Sequence, residues 1–409
     1  MSYRIVKKIV TGRQAIDGAG VHLVRVLGSG TIRDFDPFLM LDAFDSLNPA
    51  DYVRGFPLHP HRGIETFTYL VKGEIDHKDS LGNSGQIKDG CCQWMTAGGG
   101  ILHQEMPKAS PRMLGLQLWI NLPRDKKMVH PKYRDITPDD IPVIEEKGVT
   151  IRVVTGKYGN IGGATQGEYV DVQFLDVEMG PGGTWEMETI PGNTVFSYLM
   201  EGSCAYEPEG VIQPARRAVL FSDGDKIHLH AGPEGARMVI VSGKPLREPV
   251  AWGGPIVMNT DEELRNAFME LEEGTFIRHG KHSAAVPPLK VRASVPAAAR
   301  ASPKALLTRS RGMGRFSLER QTQPERSPFL GEAFFPRLCR TGIRLPAFDN
   351  AGNRAAESLA FRYTEKHQEV QDAPFPSHGR RDDAAAFERS GFLGRSAAKG
   401  KGGAHGGTV

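Results

Sequence analysis

The sequence predicts an all-β protein: two tandem β-barrels, a short C-terminal helix, and a tail expected to be disordered. Three observations carry this. Short apolar runs are cut by Gly, Pro and Asp turns roughly every 8–12 residues, the punctuation of a sandwich or barrel. The order of features repeats, with TFTYLVKGEI in the first half echoed by VFSYLMEGSC in the second. The texture then breaks after about His282. The expected limits are 1–134 for the first barrel, 135–147 for a linker, 148–282 for the second barrel with its helix, and 283–409 for the tail.

The first barrel is read from VHLVRVLG, PFLMLDAF, IETFTYLVKG and LGLQLWINL, each an apolar strand ending in a turn signal. The polar stretch 126–147, with Pro131, Pro138 and Pro142, reads as connecting chain. Strands resume with VTIRVVTG, YVDVQFLDVEM, TVFSYLMEGSCAYE, RAVLFSDGD and ARMVIVSG. NTDEELRNAFMELEEG is the clearest helix. Thr260 and Glu263 make a capping box, Leu264, Ala267, Phe268 and Leu271 share one face, and Gly274 ends it. This helix is expected to pack on the second barrel.

Charge divides the chain. Residues 1–282 carry 30 Lys+Arg against 37 Asp+Glu, a net −7, and residues 283–409 carry 21 against 11, a net +10. The acidic body gives no reason to expect direct nucleic-acid binding. The tail, rich in Ala, Arg, Pro, Ser and Gly, lacks the periodicity of a packed core and reads as a disordered extension or an out-of-frame read-through. Its arginines would suit an acidic partner. The four cysteines form no C-x-x-C pair, and the adjacent Cys91 and Cys92 suit small core fillers in a reduced compartment. No run approaches the roughly 20 apolar residues of a membrane helix, and the N-terminus does not read as a signal peptide. The expected location is the cytoplasm, away from membranes.

The chemistry lies in FPLHPHRGIETFTYLVKG and TAGGGILHQE. His59 and His61, two apart on a strand, project to one face and can converge on an ion. His103 and Glu105 repeat that spacing at the end of another strand, after a Gly98–Gly100 run that leaves room for a ligand. Imidazole nitrogens suit Fe, Zn, Cu and Ni. Spacing leaves the carboxylate open, since Glu65 competes with Glu105. Arg62 reads either as a guide for an anionic substrate or as a salt bridge under the barrel rim. Trp94 and Trp119 read as core, and His77 as near the site in sequence only. A second H-x-H, His228 and His230, lacks a following G-x-x-H-x-E and reads as exposed strand-end histidines.

H-x-H-x(3)-E followed by G-x-x-H resembles the cupin motifs. HPHRGIETFTYLVKG, QWMTAGGGILHQEMP, GLQLWINLP, PLREPV, GPIVMNT and DPFLMLDAF resemble the pirin family more narrowly, over roughly residues 2–278 and not the tail. The resemblance implies a bicupin with one metal site in the N-terminal barrel: Fe(II) on His59, His61, His103 and Glu105, with other divalent metals admitted. It selects Glu105 as ligand and leaves Glu65 and Arg62 to support the site from outside, Glu65 by orienting a histidine. It further implies a quercetin 2,3-dioxygenase-like activity on flavonol-like aromatics and dioxygen, with Glu105 accepting the flavonol 3-hydroxyl proton. The alternative it implies is a non-enzymatic, iron-dependent regulator that binds a transcription factor or metabolic enzyme. A metal-stabilised scaffold without a reaction is a third reading.

Overall fold

The computed structural model describes residues 2–208 and 210–279; the expectation for the tail lies outside them. In chain order the elements are β1 (Val6–Thr11), β2 (Arg13–Asp17), β3 (Val21–Leu27), α1 (Ile32–Phe35), β4 (Phe38–Ser46), β5 (Phe56–His61), β6 (Ile64–Lys72), β7 (Ile75–Asp79), β8 (Ser84–Ile87), β9 (Cys92–Thr96), β10 (Ile101–Pro107), β11 (Met113–Asn121) and β12 (Lys132–Ile136). There follow β13 (Val143–Glu146), β14 (Val149–Thr155), β15 (Lys157–Tyr158), β16 (Ile161–Gly162), β17 (Val172–Met179), β18 (Thr184–Glu188), β19 (Thr194–Ala205), β20 (Gln213–Pro214), β21 (Arg217–Phe221), β22 (Lys226–Gly243), β23 (Ala251–Gly253), β24 (Ile256–Met258) and α2 (Asp261–Glu273).

The first barrel is a seven-stranded sheet, β12-β9-β6-β11-β4-β3-β2, facing a four-stranded sheet, β5-β10-β7-β8. The second is built on one sheet of order β1-β21-β19-β22-β17-β14-β13, with β18 added to β22 and β20 to β19. Alternation along β6 shows how the larger sheet divides its faces. Phe67 and Tyr69 point outward into a core shared with the second barrel, where Phe67 meets Phe174 at 4.7 Å and the Tyr69 hydroxyl donates to Asp176 at 2.8 Å. Thr66 and Thr68 point inward. The second barrel fills its own interior with side chains such as Ile151, Val177, Trp185, Leu229 and Ile240.

Local sequence misplaces three connections. β1 joins the second barrel, pairing with β21 from Val6↔Phe221 to Thr11↔Arg217. An edge strand is specified by the edge it finds, which leaves no local mark. The expected linker 135–147 contains the end of β12, a capped 3-10 turn and β13; β12 completes the first barrel and β13 edges the second. Alternation over four or five residues between prolines is too short to read.

The third is α2. Its capping box is present: Glu263 N donates to Thr260 Oγ1 at 3.2 Å and Thr260 N donates to Glu263 Oε2 at 2.9 Å. Gly274, at φ +74°, supplies the left-handed C-cap. The apolar face does not lie on the second barrel. Ala267, Leu264, Phe268 and Leu271 pack with Ile256, Met258 and Phe276, and Arg62 of the first barrel reaches Glu270. The chain returns to its first barrel after finishing its second. Among the described residues, no helix is long and apolar enough to cross a membrane.

Candidate metal centre

β5 and β10 run antiparallel with His103 opposite His59 and Ile101 opposite His61. Opposite residues share a face, so His59, His61 and His103 converge. Their nitrogens lie within 4.8 Å of one another, the one such group of three among the described residues. His61 and His103 are buried, at 2% and 0% exposure.

Hydrogen bonds fix two of the rings. His59 Nδ1 donates to the Pro57 carbonyl at 2.8 Å, and His61 Nδ1 donates to the Pro255 carbonyl at 3.2 Å. A carbonyl only accepts, so both protons sit on Nδ1 and both Nε2 atoms carry a bare lone pair. Those Nε2 atoms are 3.1 Å apart. Two lone pairs at that distance repel unless a cation sits between them. His103 adds two buried nitrogens with no partner at all, where a buried polar atom without a partner costs roughly 1–3 kcal/mol. Burial, the largest influence on each, holds His59 below the ordinary imidazole pKa and His61 and His103 well below it. Neutral, proton-poor imidazoles with aligned lone pairs fit a divalent cation.

Glu105 is on the same face but outside this cluster. Its carboxylate crosses the barrel and accepts from Gln117 Nε2 at 3.1 and 2.9 Å and from the Thr68 hydroxyl at 3.3 Å. Gln117 Oε1 accepts in turn from Trp119 Nε1 at 3.3 Å. The Trp119 ring stands edge-on to His61 at 5.1 Å and beside Trp252 at 5.8 Å, so this tryptophan walls the site as well as filling core.

Two expected supports have other roles. Glu65 lies an odd number of residues from Thr68, on the outward face of β6. Its Oε1 accepts from Thr96 at 2.6 Å, Oε2 has no partner, and burial raises its carboxyl to about 7. It orients no histidine. Arg62 is 2% exposed and closed to a substrate: its guanidinium donates to Gly99 O at 2.9 Å, Phe276 O at 2.8 Å and Glu270 at 2.8 Å, and lies over the Phe276 ring at 4.1 Å. Of the two sequence readings, the salt bridge is the one present. Conversely, His77 is close in space. It faces Glu105 across β7 and β10, and its ring is 5.3 Å from that of His103. Its spacing to Asp79 on β7 was the available signal.

In the second barrel, His228 and His230 point away from the interior filled by Ile227, Leu229 and Ala231. Their partners are Glu186 at 3.3 Å and Thr184 at 3.1 Å.

The Pirin family model matches residues 20–120, and that of the pirin C-terminal cupin domain matches residues 174–277. The chain belongs to the pirin family. Its pirin-family relatives include a proposed quercetin 2,3-dioxygenase of Pseudomonas aeruginosa, 42% identical over 279 residues that cover 66% of this chain and 98% of the relative. A pirin-like protein of Caulobacter vibrioides is 42% identical over 283 residues, covering 68% of this chain and all of the relative. Among solved structures, quercetin 2,3-dioxygenase from Acinetobacter baumannii superposes with a TM-score of 0.62 at 30% identity, covering 67% of this chain and 99% of that one. This pirin is thus a bicupin with a three-histidine cluster in its N-terminal barrel.

Proposed function

We propose that this pirin is a metal-dependent dioxygenase of the quercetin 2,3-dioxygenase type. It takes a flavonol-like aromatic and dioxygen, and uses Fe(II) held by His59, His61, His103 and Glu105. The observation that carries the reading is the pair of bare Nε2 atoms 3.1 Å apart beside the partnerless His103. The names of the Pseudomonas and Acinetobacter relatives support the reaction class.

When bound, the ion supplies Lewis acidity and open coordination positions suited to oxygen chemistry. The chain's own residues do the rest. The Pro57 and Pro255 carbonyls keep the protons of His59 and His61 on Nδ1. Glu105 has two duties, as fourth ligand and as base for the flavonol 3-hydroxyl. Gln117 Nε2, which donates to both Glu105 oxygens, holds the carboxylate until it turns to either duty. Trp119, buried against His61, keeps water from that side.

Anaerobic reconstitution with Fe(II), then oxygen uptake and carbon monoxide release with quercetin, tests the reading. The expected result is turnover that disappears in Glu105→Gln and His61→Ala. Iron-loaded protein inert toward several flavonols would overturn it.

A second reading is favoured by the tie between His61 and Pro255. A regulator whose metal state alters that tie would signal through the C-terminal segment, where Met269 is exposed. Its partner would be a transcription factor or metabolic enzyme whose capture depends on Fe(II) or Fe(III) loading. Capture that ignores metal and redox state would exclude this reading.

A further inference from the structure

Three imidazoles form the cluster, yet only two are oriented from behind. His59 and His61 each give their second nitrogen to a carbonyl, whereas both His103 nitrogens are buried and unpaired. A metal-bound histidine ordinarily donates its other N–H to an acceptor, which fixes its tautomer and raises its basicity. The question is which acceptor His103 uses.

Few buried side-chain atoms are free to take that proton. Glu65 Oε2 is on the outward face of the seven-stranded sheet, Ser197 and Tyr206 belong to the second barrel, and Asn259 lies at the approach to α2. Of these unpartnered side-chain acceptors, the one beside His103 is Nδ1 of His77. This ring is 1% exposed, 5.3 Å from the His103 ring and inclined to it by 53°. Its other nitrogen, Nε2, is 3.4 Å from Asp79 Oδ2.

Asp79 is fixed for that role. It accepts from the backbone amides of Leu81 at 2.9 Å and Asn83 at 3.0 Å, and from the Asn83 side chain at 2.9 Å. A carboxylate so placed holds the His77 proton on Nε2 and leaves Nδ1 as an acceptor. Tyr133 stacks on His77 at 4.2 Å with the planes 24° apart; its hydroxyl donates to Asp135 at 2.6 Å and accepts from Gln93 at 2.9 Å. The His77 ring is thereby clamped against tilting away.

We infer that His77 and Asp79 are positioning residues for His103: the His103 N–H donates to His77 Nδ1, and His77 Nε2–H donates to Asp79, once a cation occupies the three-histidine cluster. The chain metal–His103–His77–Asp79 is then the side-chain counterpart of the carbonyls behind His59 and His61. The inference rests on the three-histidine reading of the site. It gives a partner to each of the three partnerless nitrogens of His77 and His103 together.

Cobalt(II) titration of the full-length protein, with the d–d spectrum as readout, tests it. His77→Phe keeps an aromatic ring on Tyr133 and deletes the acceptor. His77→Gln restores an atom that accepts and one that donates. The expected result is one cobalt per chain in the wild type, binding about 10–100-fold weaker with an altered spectrum in His77→Phe, and recovery to within about threefold in His77→Gln. A packing role alone predicts the reverse, with the phenylalanine neutral and the glutamine disruptive. Cobalt affinity of His77→Phe within twofold of wild type overturns the inference. Undiminished uptake in His59→Ala overturns the three-histidine reading and the inference with it. Nitrogen-15 NMR of histidines in the zinc-loaded wild type gives an answer that needs no variant at His77. His77 should be the Nε2–H tautomer, and an Nδ1–H tautomer overturns the proposal.

Discussion

Arg62 Nη2 donates to Glu270 Oε2 at 2.8 Å, so the residue after His61 is held by the helix that follows the second barrel. The contact belongs to a wider seam. Val257 N donates to Arg62 O at 3.0 Å, and Lys127 Nζ donates to Gly63 O at 2.8 Å and Val257 O at 3.0 Å. Residues 61–63 are thus each tied to the returning segment.

Removing the arginine takes that donor from the Gly99 and Phe276 carbonyls and from Glu270 Oε2, while Glu270 Oε1 keeps Arg278. Arg62→Ala should lose about 3 kcal/mol of stability, as expected for breaking a buried pair from one side. Glu270→Gln, which keeps an acceptor oxygen, should lose about 1 kcal/mol. Chemical denaturation of both variants at neutral pH checks the ordering.

Gly63 sits at φ +77°, and a Cβ there would come 1.9 Å from the Val257 carbonyl. Gly63→Ala should therefore be severely destabilising, at about 3 kcal/mol or more, since left-handed strain and a backbone clash add. It should also speed proteolysis of the 251–279 segment relative to wild type, as read by limited trypsin digestion.

Glu65 gives the pH prediction. Burial raises its carboxyl from 4.5 to about 7. The folded state holds this proton more tightly than the unfolded state does. Stability from this group is complete below about pH 4.5, falls as pH rises toward 7, and is flat above. Glu65→Gln keeps the oxygen that accepts from Thr96 and cannot ionise. It should match wild type near pH 4.5 and exceed it by up to roughly 3 kcal/mol above pH 7. Equal stability differences at pH 5 and pH 8 would contradict this.

Metal content should separate the two H-x-H pairs. His59→Ala, His61→Ala and His103→Ala are each expected to cut bound metal from about one equivalent to a tenth or less, consistent with lost ligands. His228→Ala, whose ring pairs with Glu186 on the outside of the second barrel, should retain full occupancy by elemental analysis.

Periodicity of two exposes the strands, and equal parity puts His59 with His61, and His103 with Glu105, on one face of each strand. The capping box of α2 was equally plain, because it is written within four residues. What escaped was everything decided between distant strands. Spacing alone leaves Glu65 in competition with Glu105, and the face of β6 that keeps it out of the site is set by Phe67 and Tyr69 meeting the second barrel. Gln117 and Tyr133 are inward polar residues on apolar or short strands, and their value depends on which strand lies opposite. His77 reads as near the site in sequence only, because its neighbour there is Glu105, 28 residues later, through the β7–β10 ladder.

The pairing of Val6 with Phe221 sets an order of events during synthesis. At roughly 5–20 residues per second, the first strand leaves the ribosome some ten to forty seconds before its partner exists. The Pro255 carbonyl that orients His61 arrives later still, 194 residues after the histidine it serves. A nascent first barrel therefore carries an unoriented ligand ring and an uncovered outer sheet face. Its metal affinity should appear in one late step, when the last of the folded body closes against it.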